Sequence, residues 1–166
     1  IFFQDATNLN KIDENKYDFV ISSNVLEHIA NPLKALNEFK RVIKKNGFIA
    51  IIVPYYKYTF DFKRPVTTIE HIREDFINSV GEDDLTHLEE VVELTDEGDK
   101  DHNAQVNPNF NKKEFEEYCK DNFNNRVMHH HVYDVDLLKS VANEANLKVL
   151  DLNYFANSCV MLTQKY

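Results

Sequence analysis

Glycine is scarce in this chain. Three occur in 166 residues, Gly47, Gly81 and Gly98, where average usage of about 7% would give roughly a dozen. No glycine-rich loop of the kind that cradles a phosphate or a nucleotide can be written anywhere in these residues. Cysteine is nearly as sparse. Cys119 and Cys159 stand far apart and outside any Cys-x-x-Cys pattern, which argues against a disulfide framework and for a reducing, cytoplasmic setting. Positive charge is short too: Lys and Arg number 19 against 28 Asp and Glu, a net charge of -9. That balance is the wrong sign for nucleic acid or an anionic membrane surface as main partner. The longest apolar runs, around Phe48 to Val53 and Cys159 to Leu162, are far too short to span a bilayer, and the first residues do not read as a signal peptide.

What is present suffices for one core. With 43% hydrophobic and 28% charged residues, the chain reads as one globular domain or one domain plus a cap. Its opening, Ile1-Phe2-Phe3-Gln4-Asp5-Ala6, looks like a strand entered partway, so the sequence reads as a fragment. Tyr17 to Ser22 is a run of strand formers, apolar at successive positions as expected for a strand covered on both faces. It runs into the polar loop Ser23-Asn24-Val25-Leu26-Glu27-His28-Ile29, and in an open α/β sheet such a strand end is where ligands sit. Asn31 can cap the next helix and Pro32 suits its first position, with Leu33, Leu36, Phe39, Val42 and Ile43 on one face. Lys44 and Lys45 would occupy its last turn and Asn46-Gly47 its left-handed stop, before a strand from Phe48 to Val53 closed by Pro54.

The C-terminal end repeats this grammar. A helix begins at Asp134 or Asp136, carries Leu137, Leu138, Val141, Ala142 and Ala145, and closes at Asn146. Lys148 to Phe155 and Cys159 to Thr163 then read as an edge hairpin around Ala156-Asn157-Ser158. Between these blocks lies a helical insertion. Thr67 and Glu70 have capping-box spacing ahead of Ile69, Ile72 and Phe76; Asp84 precedes a helix with Leu85, Leu88, Val91 and Val92; Asn111 could cap a third, with Phe115, Tyr118 and Phe123 inward.

The run from Tyr17 to Ile29, then Asn31-Pro32, then Glu38 to Gly47, resembles the fourth strand, following helix and fifth-strand entry of class I S-adenosylmethionine-dependent methyltransferases of type 11. Asp5-Ala6 resembles the acidic-small pair ending the third strand, and the terminal hairpin resembles the antiparallel sixth and seventh strands. The resemblance implies an α/β fold: a partial Rossmann-like sheet, third to seventh strands, over residues 1–54 and 134–166, with 55–133 as an acceptor-side cap. It implies S-adenosylmethionine as cofactor, with Asp5 and Ala6 flanking the adenine and Ser23, Asn24 and Val25 on the methionine side. The glycine-rich loop of the family has no counterpart here, so the cofactor site is expected to be incomplete. A looser likeness of Phe60 to His71 and His129-His130-His131 to methyltransferases of polysaccharide enzymes implies O-methylation of a glycan precursor or small metabolite.

Methyl transfer to a hydroxyl needs alignment and a proton acceptor, and histidine is the natural base near neutral pH. His28, His71 and one of His129 to His131, taken as His131, are the candidates. Tyr55, Tyr56, Tyr58, Phe60 and Phe62 could stack on a sugar or pack the cap. No metal site is assigned, although His129 and His131 would share a face of an extended segment, with Asp61, Asp134 or His102 as partners. Two rival readings remain: a non-enzymatic binding or homodimerisation module, and a metal-dependent hydrolase built on the histidines.

Overall fold

A computed structural model describes residues 4–96 and 109–166. Four strands form one sheet in the order β1-β2-β4-β3. β1 (Tyr17–Ser23) runs parallel to β2 (Ile43–Pro54), and β4 (Ser158–Gln164) lies antiparallel to β2 on one side and to β3 (Lys148–Phe155) on the other. The expected hairpin is there, with Ala156 taking up a left-handed φ of 53° in its turn and β3 at the edge. Of the expected third strand, residues 1–3 lie outside the described ones. Asp5 and Ala6 sit in an irregular turn, where the Asp5 carbonyl accepts from the Asn8 N–H at 2.9 Å.

Two helices cover one face of this sheet. α1 (Pro32–Val42) starts as its sequence foretells, with the Asn31 side chain accepting from the Lys34 N–H and Pro32 at its first position. α6 (Val135–Glu144) is capped by Asp134, which accepts from the Leu137 N–H. Leu33, Leu36 and Phe39 of α1 and Leu138, Val141 and Ala142 of α6 bury against Ile49, Ile51 and Val53 of β2 and Cys159 and Met161 of β4. Each fully buried aliphatic side chain there is worth roughly 1.5–3 kcal/mol.

Among the described residues no helix packs on the opposite face, against the expectation that β1 is covered on both sides. Phe19 and Ile21 are 61% and 64% exposed, and Phe48, Val160 and Leu162 stand beside them. The pleat explains the split: alternate residues of β2 point to opposite faces, and both packed helices lie on the same one.

The α1–β2 junction also departs from expectation. α1 ends at Val42, so Lys40 and Arg41, not Lys44 and Lys45, occupy its last turn. Pairing then jumps from Tyr17↔Ile43 to Phe19↔Phe48, so that Lys44 to Gly47 bulge out of the ladder. Asn46 supplies the left-handed φ of 63°, while Gly47 is required by space: an added Cβ would lie 2.9 Å from the carbonyls of Asp18 and Lys44.

In the insertion, α2 (Ile69–Ile77) is capped by Thr68, one residue later than expected, because Thr67 uses its hydroxyl to accept from the Val132 N–H. α3 (Leu88–Leu94) starts after His87, with Asp84 instead closing a turn onto Thr86. α4 (Lys112–Lys120) is capped by Asn111 as expected, and the short α5 (Asn122–Asn125) follows. Tyr118 and Phe123 face solvent, against expectation; Val91, Cys119 and Met128 form a small separate cluster here, while Ile72 of α2 joins the main core. No helix among the described residues is long and apolar enough to cross a membrane.

Candidate functional site

The end of β1 shapes a cleft. Asn24 takes a left-handed φ of 50°, which asparagine tolerates, and its N–H donates to the Ile52 carbonyl at 2.9 Å. The chain then winds into one helical turn, Leu26–His28, with Leu26 fully buried as its anchor. Val25 and His28 are thereby turned into a cavity of about 520 Å³ shared with Asp5, Ala6, Glu82 and Arg126. That volume is in the range that holds a small organic ligand.

Arg126 ties the mouth of the cleft together, reaching Asp5 at 3.0 Å and Glu82 at 2.8 Å. Asp5 also accepts from the Thr7 N–H and hydroxyl at 2.8 and 2.7 Å. Burial raises its pKa, but the Thr7 hydrogen bonds and Arg126 outweigh that and hold the carboxyl below its ordinary value. Asp5 is an ionised acceptor at neutral pH.

Behind His28 lies a buried charge network. The His28 Nδ1 stands 3.2 Å from the Met128 carbonyl, which can only accept, so Nδ1 carries the proton and Nε2 offers a lone pair. Burial, then the neighbouring His129, push the His28 pKa down to about 4, leaving the ring neutral near pH 7. Glu27, buried and with neither carboxylate oxygen hydrogen-bonded among the described residues, places Oε1 at 3.9 Å from the His28 Nε2. Burial raises its pKa to about 7, with His129 opposing and Asp61 assisting. His129 packs edge-on to His28 at 4.5 Å between ring centres and donates a short hydrogen bond to Asp61. Burial disfavours both charges in this pair, yet their mutual attraction prevails: His129 is raised and Asp61 lowered. Arg64 closes the network, donating to Asp61 at 3.1 Å, to the His129 carbonyl at 2.8 Å and to Glu90 at 2.8 Å.

The expected site residues separate into three places. Asp5, Ala6, Val25 and His28 share the cleft; Ser23 and Asn24 lie exposed on the strand end leading into it. His71 and His131 lie elsewhere, together with His87 and Asp75, and His131 is 1% exposed. Of the three candidate bases, the cleft contains His28 alone. The triple histidine is not a strand, so the alternation that would put His129 and His131 on one face does not apply. His129 faces His28, His130 meets Asn122 at 3.0 Å, and His131 approaches the Ala30 carbonyl at 3.2 Å. Asp134 caps α6, and His102 lies outside the described residues. Tyr55 stacks on Tyr154 at 5.3 Å, and Phe60 lies 4.7 Å from His129. Sequence reasoning missed Glu82 and Arg126 as cleft residues and Arg64 behind them, and it left His129 as one of three histidines without distinguishing it. Arg64 has an i, i+3 relation to Asp61, but His129 meets Asp61 across 68 positions, for which no local pattern exists.

The methyltransferase domain family matches residues 2–51 of this chain. The stretch ends within β2, and it contains the β1 end, the helical turn and α1. An uncharacterised protein of Methanocaldococcus jannaschii is 48% identical over 40 residues, covering 24% of this chain and 17% of its own length. Two solved structures resemble the fold. One, from Haloferax volcanii, is a methyltransferase in complex with a methyltransferase activator; it has a TM-score of 0.52 at 13% identity, over 97% of this chain and 59% of that one. The other, an O-methyltransferase family protein from Burkholderia thailandensis, has a TM-score of 0.50 at 9% identity, over 99% of this chain and 35% of that one. Thus one stretch of the chain matches the methyltransferase domain family, and its fold resembles that of solved methyltransferases. It spans less than two thirds of the length of each of these three proteins. The cofactor of such methyltransferases is S-adenosylmethionine. The cleft suits a group of that kind, since it sets an ionised Asp5 beside the apolar Ala6 and Val25.

Proposed function

We propose that this methyltransferase uses S-adenosylmethionine to methylate a hydroxyl group of a sugar, polysaccharide precursor or related small metabolite. The observation that carries the reading is the position of His28, in the same cleft as Asp5, Ala6 and Val25, with its Nδ1 held toward the Met128 carbonyl. The cofactor supplies a methyl group on a sulfonium, whose transfer is a direct displacement needing mainly alignment. Asp5 would receive the adenine amino group, with Ala6 and Val25 against the ring, and Ser23 and Asn24 would line the methionine side. His28 would accept the hydroxyl proton at Nε2, and Glu27 beside it would stabilise the imidazolium formed. Oxygen is favoured as acceptor atom because a hydroxyl must lose a proton as it is methylated, and the cleft contains a base for it. Residues 55–133 would form the acceptor-side cap, since they contribute Asp61, Arg64, Glu82, Arg126 and His129 to the walls and support of the cleft. A cytoplasmic setting accords with two buried, unpaired thiols.

The test is methyl transfer from labelled cofactor to a panel of sugar nucleotides and small alcohols. His28→Ala should lower the turnover by roughly 10²–10⁴-fold, the usual worth of a positioned base, with cofactor binding little changed. Turnover in His28→Ala equal to the parent's would remove His28 from the chemistry.

A further inference from the structure

Away from the cleft, three histidines and an aspartate from separate parts of the chain converge on one point. His71 and Asp75 lie one turn apart on α2, His87 immediately precedes α3, and His131 belongs to the irregular segment leading to α6. The three imidazoles each offer a ring nitrogen, and these atoms all lie within 4.8 Å of one another. The His71 and His87 Nε2 atoms are 2.9 Å apart. Asp75 Oδ2 lies 3.4 Å from the His71 Nε2 and 3.6 Å from the His131 Nε2, and it is buried without a hydrogen bond among the described residues. A tetrahedral zinc ion with bonds of about 2.0–2.1 Å sets its ligand atoms roughly 3.3 Å apart. The spacings found here bracket that edge length.

We propose that His71, His87, His131 and Asp75 form a tetrahedral divalent-metal site of the zinc type, structural in role, cross-linking α2, the residue before α3 and the irregular segment ahead of α6 within residues 55–133. Three imidazoles and one carboxylate are a borderline-soft N₃O set, which suits Zn²⁺ over Mg²⁺ or Ca²⁺. Asp75 becomes intelligible as a ligand: its buried, unbonded Oδ2 would gain a partner, and its negative charge would be balanced. Each histidine must present Nε2 unprotonated and keep its proton on Nδ1, so His131 gives up its 3.2 Å contact with the Ala30 carbonyl for the metal. All four positions come from protein, as in a closed structural site rather than a catalytic one. The proposal stands apart from methyl transfer, because none of the four residues lines the cleft with Asp5 and His28.

The test uses the untagged protein, stripped with a chelator and titrated with Zn²⁺ against a chromogenic competitor, with melting temperature and the spectrum of the Co²⁺ form as further readouts. One equivalent of zinc should bind, raise the melting temperature and give the intense visible bands of tetrahedral Co²⁺. His87→Ala, at a partly buried position outside the main core, and Asp75→Asn should each weaken binding at least roughly tenfold and abolish the thermal shift. His28→Ala should bind zinc as the parent does. The absence of tight stoichiometric binding, its persistence in both His87→Ala and Asp75→Asn, or its loss in His28→Ala would overturn the proposal, the last by moving the metal to the Glu27, His28 and His129 group.

Discussion

Glu27 is a buried carboxyl directly behind the proposed base His28. It is 2% exposed, next to a histidine rather than a fixed cation, and its folded pKa of about 7 stands above the ordinary 4.5. A carboxyl raised in this way stabilises the fold below pH 4.5, where it is protonated in both states, and loses that contribution as pH rises through about 7. The size follows from the shift of the folded value over the unfolded one, an upper figure of about 3 kcal/mol. Glu27→Gln should therefore melt later than the parent at pH 8 and show little difference at pH 4; denaturant unfolding at the two values checks it. The same titration acts on turnover. If His28 is the base proposed above, an ionised Glu27 would support its proton uptake above pH 7, so the rate should climb through that range in the parent and lose the climb in Glu27→Gln. Sequence placed Glu27 and His28 at a strand end, where a site belongs. It could not show that His129 and Asp61 back them, since only the folded chain brings those residues together.

At the scale of elements, the strands and caps that rest on neighbouring residues were legible. Asn31-Pro32 before α1, Asn111 before α4 and Asp134 before α6 each act as their local chemistry requires. Where two adjacent residues can serve, tertiary contacts decide: Thr68 caps α2 because Thr67 is taken by Val132. The bare face of β1 was illegible because apolar residues on both sides of a strand do not say which neighbours are present. The junction after α1 carries a prediction of its own. Gly47→Ala should cost roughly 1–3 kcal/mol, the usual penalty for forcing atoms into a packed site, since the added carbon meets two backbone carbonyls at 2.9 Å that cannot swing away. Chemical denaturation measures it, and an unchanged midpoint would mean that the β1 and β2 backbones separate there at no cost.

For the whole molecule, a mixed sheet with helices on one face is joined to the helical segment between β2 and α6, which reaches back to the end of β1. Composition anticipated the single main core, and the order of strands and helices anticipated the sheet; the shared face open to His129 and His131 in an extended segment is not realised, because the chain there is irregular. The insertion supplies Arg126 and Glu82 at the cleft mouth and His129, Asp61 and Arg64 behind it, while β1 supplies the loop between them. The central claim is that this junction is where the methyl donor sits. Calorimetric titration of the protein with S-adenosylmethionine, alongside Asp5→Ala, tests it most directly. The account predicts binding that is weak, as an incomplete site implies, but saturable, and that Asp5→Ala weakens further by roughly tenfold, about 1.4 kcal/mol; binding that Asp5→Ala leaves untouched, or no binding by the parent protein at any cofactor concentration, would contradict it.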